Sequence, residues 1–471
     1  VRAHEAGALH GNDASPQWLP YPEDVNALID GLWSTTVRRG HDGALEVGGV
    51  DIREIARDIG TPAVIVDEED FRSRARGFRK AFESAFAPLG GVDVYYAGKA
   101  FLCTAVARWV SEEGLGLDVC SGGELAVALR AGFPAHRLTL HGNNKSDEEI
   151  YRALSAGIGR IVIDSLDEVD QVARIARDLN VVAPVLIRVT AGVEAHTHEF
   201  IATAHEDQKF GLSLTGGQAR RAIERVLDRD DYLELKGLHS HIGSQIFNVS
   251  GFGVAAARIV RLLREVRDDF GRVLPELDLG GGFGVMYTTQ NTPATPEDLA
   301  DGLAQIVREE CDRAGLEYPR VSIEPGRAIA GPAALTLYTV GTVKDVAIGG
   351  PYHRWYVSVD GGMSDNIRTA LYDADYSCLL ASRVSLADPA VVRVVGKHCE
   401  SGDIVVKDEY LPADVRRGDL LAVPVTGAYC FSLASNYNHV PRPAVVAVRD
   451  GKIHTIVRRE TEDDLLARDV G

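Results

Sequence analysis

Val92-Asp93-Val94-Tyr95-Tyr96-Ala97-Gly98-Lys99-Ala100 joins a run of β-branched and aromatic residues to a small residue and then a lysine. The run reads as a buried strand, with Lys99 at its mouth. A lysine held there can have its ammonium desolvated, which lowers its pKa and frees an amine to form a Schiff base. The competing reading is a surface lysine that happens to follow a strand. What decides between them is the company the rest of the chain brings to that strand end.

Seven further apolar runs follow, so that the eight end near Ala97, Cys120, His141, Asp164, Val189, His241, Gly280 and Glu324. Between them lie amphipathic stretches, such as 123–131, 166–179 and 254–270, with apolar residues three and four apart. Strands that are apolar on both faces and alternate with helices argue for a parallel sheet. Eight such units in about 240 residues fit a (β/α)8 TIM-type barrel better than an open sheet. Chemistry in such barrels collects at the C-terminal ends of the strands, and those ends carry the polar residues here. Lys99 follows the first, Asp118 and Ser121 the second, His141 and Asn143 the third, and Asp164 the fourth. Arg188 lies in the fifth, His239, His241 and Ser244 close the sixth, Gly280, Gly281 and Gly282 the seventh, and Glu324 and Arg327 the eighth.

Upstream, 47–61 reads as a short strand and a helix leading into a further strand at Pro62-Ala63-Val64-Ile65-Val66-Asp67. After about Pro332 the helical rhythm stops. Runs at 334–340, 355–359, 390–395 and 420–425 are β-rich and divided by Gly, Asp and Pro. The class is therefore α/β: a barrel plus a separate C-terminal all-β domain. The expected order is a loose arm over 1–20, a segment over 21–60 contributing its 47–52 strand to the β domain, the barrel over 61–330, and the β domain over 331–471.

The 471 residues carry a net charge of −18, with 45% hydrophobic and 25% charged residues. That is an ordinary globular balance, and it lacks any dense Lys/Arg cluster suited to nucleic acid or an anionic membrane. No apolar run reaches the roughly 18 residues of a membrane span. Six cysteines without metal-like spacing, with Cys103 and Cys120 in apolar contexts typical of buried thiols, suit a reducing cytoplasm.

Two motifs carry more specific chemistry. Gly280-Gly281-Gly282-Phe283-Gly284 lets backbone approach an anion, and a helix following it would aim free N–H groups there. A tight structural turn is the alternative. Ile323-Glu324-Pro325-Gly326-Arg327 sets a carboxylate, a glycine turn and a guanidinium within four residues. That suits a ligand with a basic nitrogen at one end and an anion at the other, as in pyridoxal 5′-phosphate, whose aldehyde also needs a lysine.

Taken together, Tyr95-Tyr96-Ala97-Gly98-Lys99-Ala100, His241-Ile242-Gly243-Ser244-Gln245, Gly280-Gly281-Gly282-Phe283 and Glu324-Pro325-Gly326-Arg327 resemble the fold-type III pyridoxal-phosphate decarboxylases, which share the alanine racemase-like fold. The resemblance runs over about residues 45–460 with the motifs in the family's order. Within it, the chain is most similar to the diaminopimelate decarboxylases. This closer likeness rests on His141-Gly142-Asn143-Asn144-Lys145-Ser146, His196-Thr197-His198-Glu199, Lys209-Phe210-Gly211, Asn366-Ile367-Arg368-Thr369-Ala370-Leu371-Tyr372, Cys399-Glu400-Ser401-Gly402-Asp403 and Gly427-Ala428-Tyr429.

The resemblance implies roles by position. Lys99 is the lysine that takes the cofactor aldehyde, His241 stacks on the pyridine ring and Glu324 holds its nitrogen. Ser244, Gly282, Gly326 and Tyr429 bind the phosphate, with Gly280, Gly281 and Arg327 in the same site and Asp118 supporting the lysine strand. Cys399 and Glu400 reach a partner's barrel in a homodimer with shared sites, where Cys399 donates a proton to the carbanion left by CO2. A buried structural thiol is the other reading of Cys399.

The substrate follows from donor chemistry. Arg327 and Arg368, with Tyr372 and Tyr429, can clamp a distal carboxylate while Glu400 pairs with a distal ammonium. A small molecule with an α-amino acid at each end is 2,6-diaminopimelate, and CO2 loss at the D-centre of the meso form gives L-lysine. Ornithine or arginine decarboxylation calls for an acidic far pocket, which Arg368 opposes unless it is a surface arginine on a loop. Racemases of this fold place arginine at the pyridine nitrogen, which Glu324 disfavours. A cofactor-binding protein without turnover has no use for the β domain, and a lysine aldolase has none for Glu324. The 193–207 loop with His196 and His198 reads as a lid rather than a metal site, and no metal is expected.

Overall fold

The computed structural model describes residues 16–191, 209–241, 245–349 and 352–471. Two compact units emerge, one of Arg72–Gly284 with Pro293–Ile329, the other of the described residues up to Phe71 with Val285–Thr292 and Ala330–Gly471.

In the first unit eight parallel strands close on themselves: Val92–Ala97 (β1), Gly116–Val119 (β2), Leu138–Leu140 (β3), Arg160–Ile163 (β4), Ala183–Thr190 (β5), Leu233–His239 (β6), Glu276–Gly281 (β7) and Arg320–Glu324 (β8). Closure runs through the pairing of β8 with β1, Ile323 opposite Val94. These are the eight runs expected, because strands covered on both faces stay apolar along their length.

The helices follow as amphipathic layers, among them Gly122–Arg130, Leu166–Leu179 and Ser250–Phe270. Serines fix three of the βα connections. Ser121, Ser146 and Ser165 each accept a hydrogen bond at 3.2 Å from the backbone N–H three residues on, satisfying a donor that a helix start leaves open. Ser121 is thus a helix cap rather than a ligand-facing strand-end residue. Phe78 and Phe82 of the Glu68–Phe86 helix pack on Phe283, just past the end of β7, with ring centroids 5.5 and 6.2 Å apart, and Phe252 stacks on the same ring at 5.5 Å.

The second unit is built on one mixed sheet in the order Ile404–Pro412, Pro389–Val395, Tyr352–Val359, Ala334–Gly349, Ala63–Asp67, Ala444–Arg449, Lys452–Val457. Leu420–Pro424 pairs with Ala334–Gly349 off this path. The strand that enters this sheet from the N-terminal side is Ala63–Asp67, antiparallel to Ala334–Gly349 and parallel to Ala444–Arg449. The unit's N-terminal share extends through Phe71, beyond the 21–60 segment.

The 47–52 stretch does not pair with the main sheet. Gly48 and Gly49, at φ +58° and +78°, turn it into a two-residue hairpin with Val47 opposite Val50, and Arg38–Arg39 completes a separate three-stranded sheet. Glycine is required because both central turn residues have positive φ.

Candidate active site

Strand register assembles the barrel mouth. Across β5, β6 and β7, Arg188, His239 and Asp278 are neighbours in one row, and Gly281 of β7 lies opposite Glu324 of β8. On the other side of β8, Ala97 of β1 pairs with Asp118 of β2. Residues paired in register point to the same face, so a parallel barrel brings positions from six separate strands to one mouth.

Glu324 is its centre. Its Oε1 lies 2.8 Å from His239 Nε2 and 3.7 Å from His141 Nε2, and its Oε2 lies 4.0 Å from His241 Nδ1. Burial works against the ionised form of Glu324, but the imidazoles of His141, His239 and His241, which compete with it for a proton, and the His239 hydrogen bond outweigh it and hold the carboxyl well below the usual range. Burial in turn pushes His141 and His239 down to about 4, and His241 well below its ordinary value, so all three are neutral near pH 7. The His241 ring is further fixed by the Gly281 N–H, which donates to Nδ1 at 3.1 Å.

Two more carboxyls flank the cluster. Asp118 and Asp278 are raised well above the ordinary aspartate value, first by burial and then by the negative charge of Glu324. The Lys99 ammonium partly offsets this at Asp118. Among the described residues, both Asp118 oxygens, His141 Nε2 and His239 Nδ1 are buried without a hydrogen bond, although His141 Nε2 lies 3.3 Å from Asp118 Oδ1. Stranded polar atoms are costly in a plain core and mark the mouth as a place for a polar ligand.

Lys99 itself is exposed at the end of β1, so the barrel wall alone does not desolvate it. Its strand end is held by Gly98 N–H to Asp118 O at 3.0 Å and Ala97 N–H to Pro325 O at 3.3 Å. Gly326 belongs to the same junction: a Cβ there would meet the Ala97 Cβ at 2.9 Å and its carbonyl oxygen at 3.0 Å. Arg327, buried, opens the short Arg327–Ala330 helix directly after it.

The glycine run serves packing rather than a helix start. A Cβ on Gly281 would lie 2.1 Å from the Glu324 carbonyl oxygen. Gly280, at φ +71°, gives its N–H to Asp278 Oδ1 at 2.8 Å. The next helix begins only at Pro296, so no helical N–H groups follow the glycines, contrary to expectation. The chain leaves the barrel unit at Val285–Thr292 instead of turning into a helix.

Arg368, Tyr372, Cys399, Glu400 and Tyr429 all belong to the β-rich unit. Arg368 and Tyr372 begin and end one helical turn, which sets them on the same face. Arg368 is not a surface arginine: it is 4% exposed, its Nη1 donates to Tyr376 Oη at 2.6 Å, and its guanidinium lies 4.6 Å over the Tyr287 ring. Among the described residues its charged or polar neighbours are Tyr287, Tyr376 and Cys430, and no carboxylate pairs with it. A buried cation without a counter-charge is expensive, and the two tyrosines offset that only in part. Cys399 is exposed, which disposes of the buried structural thiol reading. Cys120 is exposed too, against expectation, because it follows β2 at the open mouth, whereas Cys103 is buried. Tyr429 takes a left-handed backbone, φ +60°, uncommon for a residue with a Cβ.

Ser244 and the 193–207 loop with His196 and His198 lie outside the described residues. Asp278 at the barrel mouth, and Tyr287 and Tyr376 beside Arg368 in the β-rich unit, are residues the sequence did not single out. Asp278 sits inside an apolar strand run, Tyr287 meets Arg368 only through long-range folding, and Tyr376, eight residues on from Arg368, carries no motif that marks it. His141, His239 and Glu324 also offer three ligand atoms within 4.8 Å of one another, but the His239–Glu324 contact is already a hydrogen bond.

A lysine amine at the mouth of a parallel barrel, an ionised buried carboxylate and neutral imidazoles around it suit a cofactor with an aldehyde and a basic ring nitrogen. Residues 69–331 match the family described as "Pyridoxal-dependent decarboxylase, pyridoxal binding domain", and the barrel is of that class. Diaminopimelate decarboxylase of Mycobacterium tuberculosis is 55% identical over 447 residues, 94% of this chain and 98% of that protein. The Bacillus subtilis enzyme of the same name is 47% identical, over 92% of this chain and 97% of its own. The crystal structure of diaminopimelate decarboxylase from M. jannaschii in co-complex with L-lysine superposes with a TM-score of 0.86 at 32% identity, covering 93% of this chain and 98% of that one. The chain belongs to the diaminopimelate decarboxylase family.

Proposed function

We propose that this protein removes CO2 from the D-centre of meso-2,6-diaminopimelate to give L-lysine, the last step of lysine formation, using pyridoxal 5′-phosphate. The observation that carries the substrate choice is Arg368, a buried guanidinium held by Tyr376 and Tyr287 with no carboxylate partner among the described residues. It is a receptor for a substrate carboxylate, and ornithine and arginine bring none at their far ends. The L-lysine in the M. jannaschii relative is the product this reading requires.

The barrel residues fit the cofactor through the donor set at the mouth. When bound, pyridoxal phosphate supplies the electron sink for the pair left by the departing carboxylate. Lys99 would provide the amine that holds the cofactor by its aldehyde. Glu324, ionised, would hold the ring nitrogen and favour its protonated form. His241, neutral and oriented by the Gly281 N–H, would stack on the ring. Asp118 steadies the Lys99 strand end through its carbonyl. Gly282, Gly326, Tyr429 and, outside the described residues, Ser244 hold the phosphate, with Gly280 and Gly281 shaping the loop.

The working assembly is a homodimer in which Cys399 of the partner subunit delivers the proton to Cα. Glu400 of the partner subunit binds the distal ammonium, while Arg327, Arg368 and Tyr372 hold the carboxylates. Free thiols at all six cysteines suit a reducing cytoplasm. No helix among the described residues is long and apolar enough to cross a membrane.

The test is CO2 release from meso-diaminopimelate, ornithine and arginine in parallel. Release from diaminopimelate alone is expected, and equal release from ornithine would overturn the role of Arg368. Arg368→Lys is expected to lower kcat/KM for diaminopimelate by about tenfold or more, mainly through KM, since ammonium replaces neither the bidentate fork nor the stacking. An unchanged KM would remove Arg368 from the substrate site.

A further inference from the structure

Asp403 is 3% exposed and stands between two loops of the β-rich unit. Its Oδ1 accepts the Met363 N–H at 2.6 Å and its Oδ2 the His398 N–H at 2.8 Å. Space for this carboxylate is cut into both loops. A Cβ on Gly362 would lie 2.5 Å from Oδ1, and one on Gly396 would lie 2.2 Å from Oδ2.

The first loop runs directly into Arg368: Asn366 N–H bonds to Gly362 O at 3.0 Å, and Asn366 Oδ1 accepts the Arg368 N–H at 3.2 Å. The second loop carries Cys399 and Glu400 and folds back on itself, with Glu400 N–H to His398 O at 2.8 Å and Asp403 N–H to Glu400 O at 3.1 Å. His398 adds a parallel strut, its Nε2 2.8 Å from Ser364 Oγ and its Nδ1 3.2 Å from Asn438 Oδ1. The same Asn438 oxygen accepts the Cys399 N–H at 3.2 Å.

We propose that Asp403 is a positioning residue that locks the loop bearing Cys399 and Glu400 onto the loop that ends in Arg368. The proposal rests on the roles given above to those residues. In the dimer it follows that one chain's Arg368 serves its own site while the Cys399 loop locked to it serves the partner's site, so a single buried carboxylate ties the two sites together. Asp403 touches neither substrate nor cofactor; it acts by fixing where the Cys399 thiol stands.

Asp403→Asn tests this without opening a void, because the amide keeps one acceptor and turns an N–H toward the other donor. On the full-length holoenzyme, kcat is expected to fall about 10- to 100-fold, and in a Cys399→Ser background the same change is expected to cost less than about threefold, since coupled residues are non-additive. Additive losses, or an unchanged kcat, would make Asp403 a structural residue only and overturn the proposal. Hydrogen exchange read on peptides covering 361–366 and 396–403 reports the lock separately. Exchange about tenfold faster or more in both loops is expected, and no change in either would show that Asp403 does not join them. If Cys399→Ser alone leaves kcat untouched, the assignment of Cys399 fails and the functional half of the proposal with it, while the exchange result still stands. Ser364→Ala, which removes the strut and leaves the carboxylate, should give a smaller loss in the same direction if the variant at 403 folds poorly; no loss there would also count against the lock.

Discussion

Lys99→Ala should leave a folded protein that no longer releases CO2 from diaminopimelate. The expected fall in kcat is about ten-thousand-fold or more, on the order of 5 kcal/mol of lost barrier lowering. The loss of stability should stay within about 0.5 kcal/mol, because the side chain is exposed and fills no core space. The strand end that presents it is secured independently by the Gly98 to Asp118 and Ala97 to Pro325 backbone hydrogen bonds. Fold and chemistry therefore separate cleanly at this residue. Borohydride reduction of the wild-type holoenzyme followed by peptide mapping should place a pyridoxyl group on residue 99 and on no other lysine. Wild-type-like turnover in the variant, or a label elsewhere, would remove Lys99 from the centre of the site. Lys145 is the informative comparison: it is also at the barrel mouth, but its ammonium is fully engaged by Gly142 O, Val162 O and Glu168.

That contrast shows what the sequence could carry. The eight strand runs were legible because a closed parallel barrel buries both faces of every strand and leaves long apolar stretches broken only at the ends. Lys99, Glu324 and His241 stood out against that background. Asp278 did not, since Leu277 and Leu279 on either side make it read as one polar break inside a strand. Neither Tyr287 nor Tyr376 was legible as the partners of Arg368, because Tyr287 comes from the Val285–Thr292 segment and sequence spacing holds no trace of that excursion. Ala63–Asp67 was recognised as a strand, yet its composition suits either sheet, and only its pairing with Ala334–Gly349 decides. The glycines closing β7 carried the right residue type with the wrong reason: close packing on Glu324 and His241 demands them, not a helix start.

The largest loss of stability from a single change is expected at Glu168. Lys145 and Glu168 form an ion pair at 2.6 Å with side chains 1% and 6% exposed. The Lys145 ammonium also donates to Gly142 O at 2.7 Å and Val162 O at 2.6 Å, so its three protons are all used. Glu168 in turn accepts the Asp164 N–H at 2.7 Å on its other oxygen. Burial lifts the Glu168 carboxyl above its ordinary value even against the pull of Lys145, which shows how heavily desolvation weighs here. Glu168→Ala leaves the ammonium buried without a counter-charge, and a loss of about 3–5 kcal/mol in urea unfolding is expected. Lys145→Met combined with Glu168→Met removes both charges at similar volume, so it should restore a good part of that loss while still lacking the bonds to Gly142, Val162 and Asp164. A double variant no more stable than Glu168→Ala would mean that the hydrogen bonds, and not the stranded charge, set the cost. Because Lys145 closes the loop that begins at His141, and Glu168 fixes the Asp164 backbone, the pair stabilises the barrel where the mouth cluster needs to be rigid.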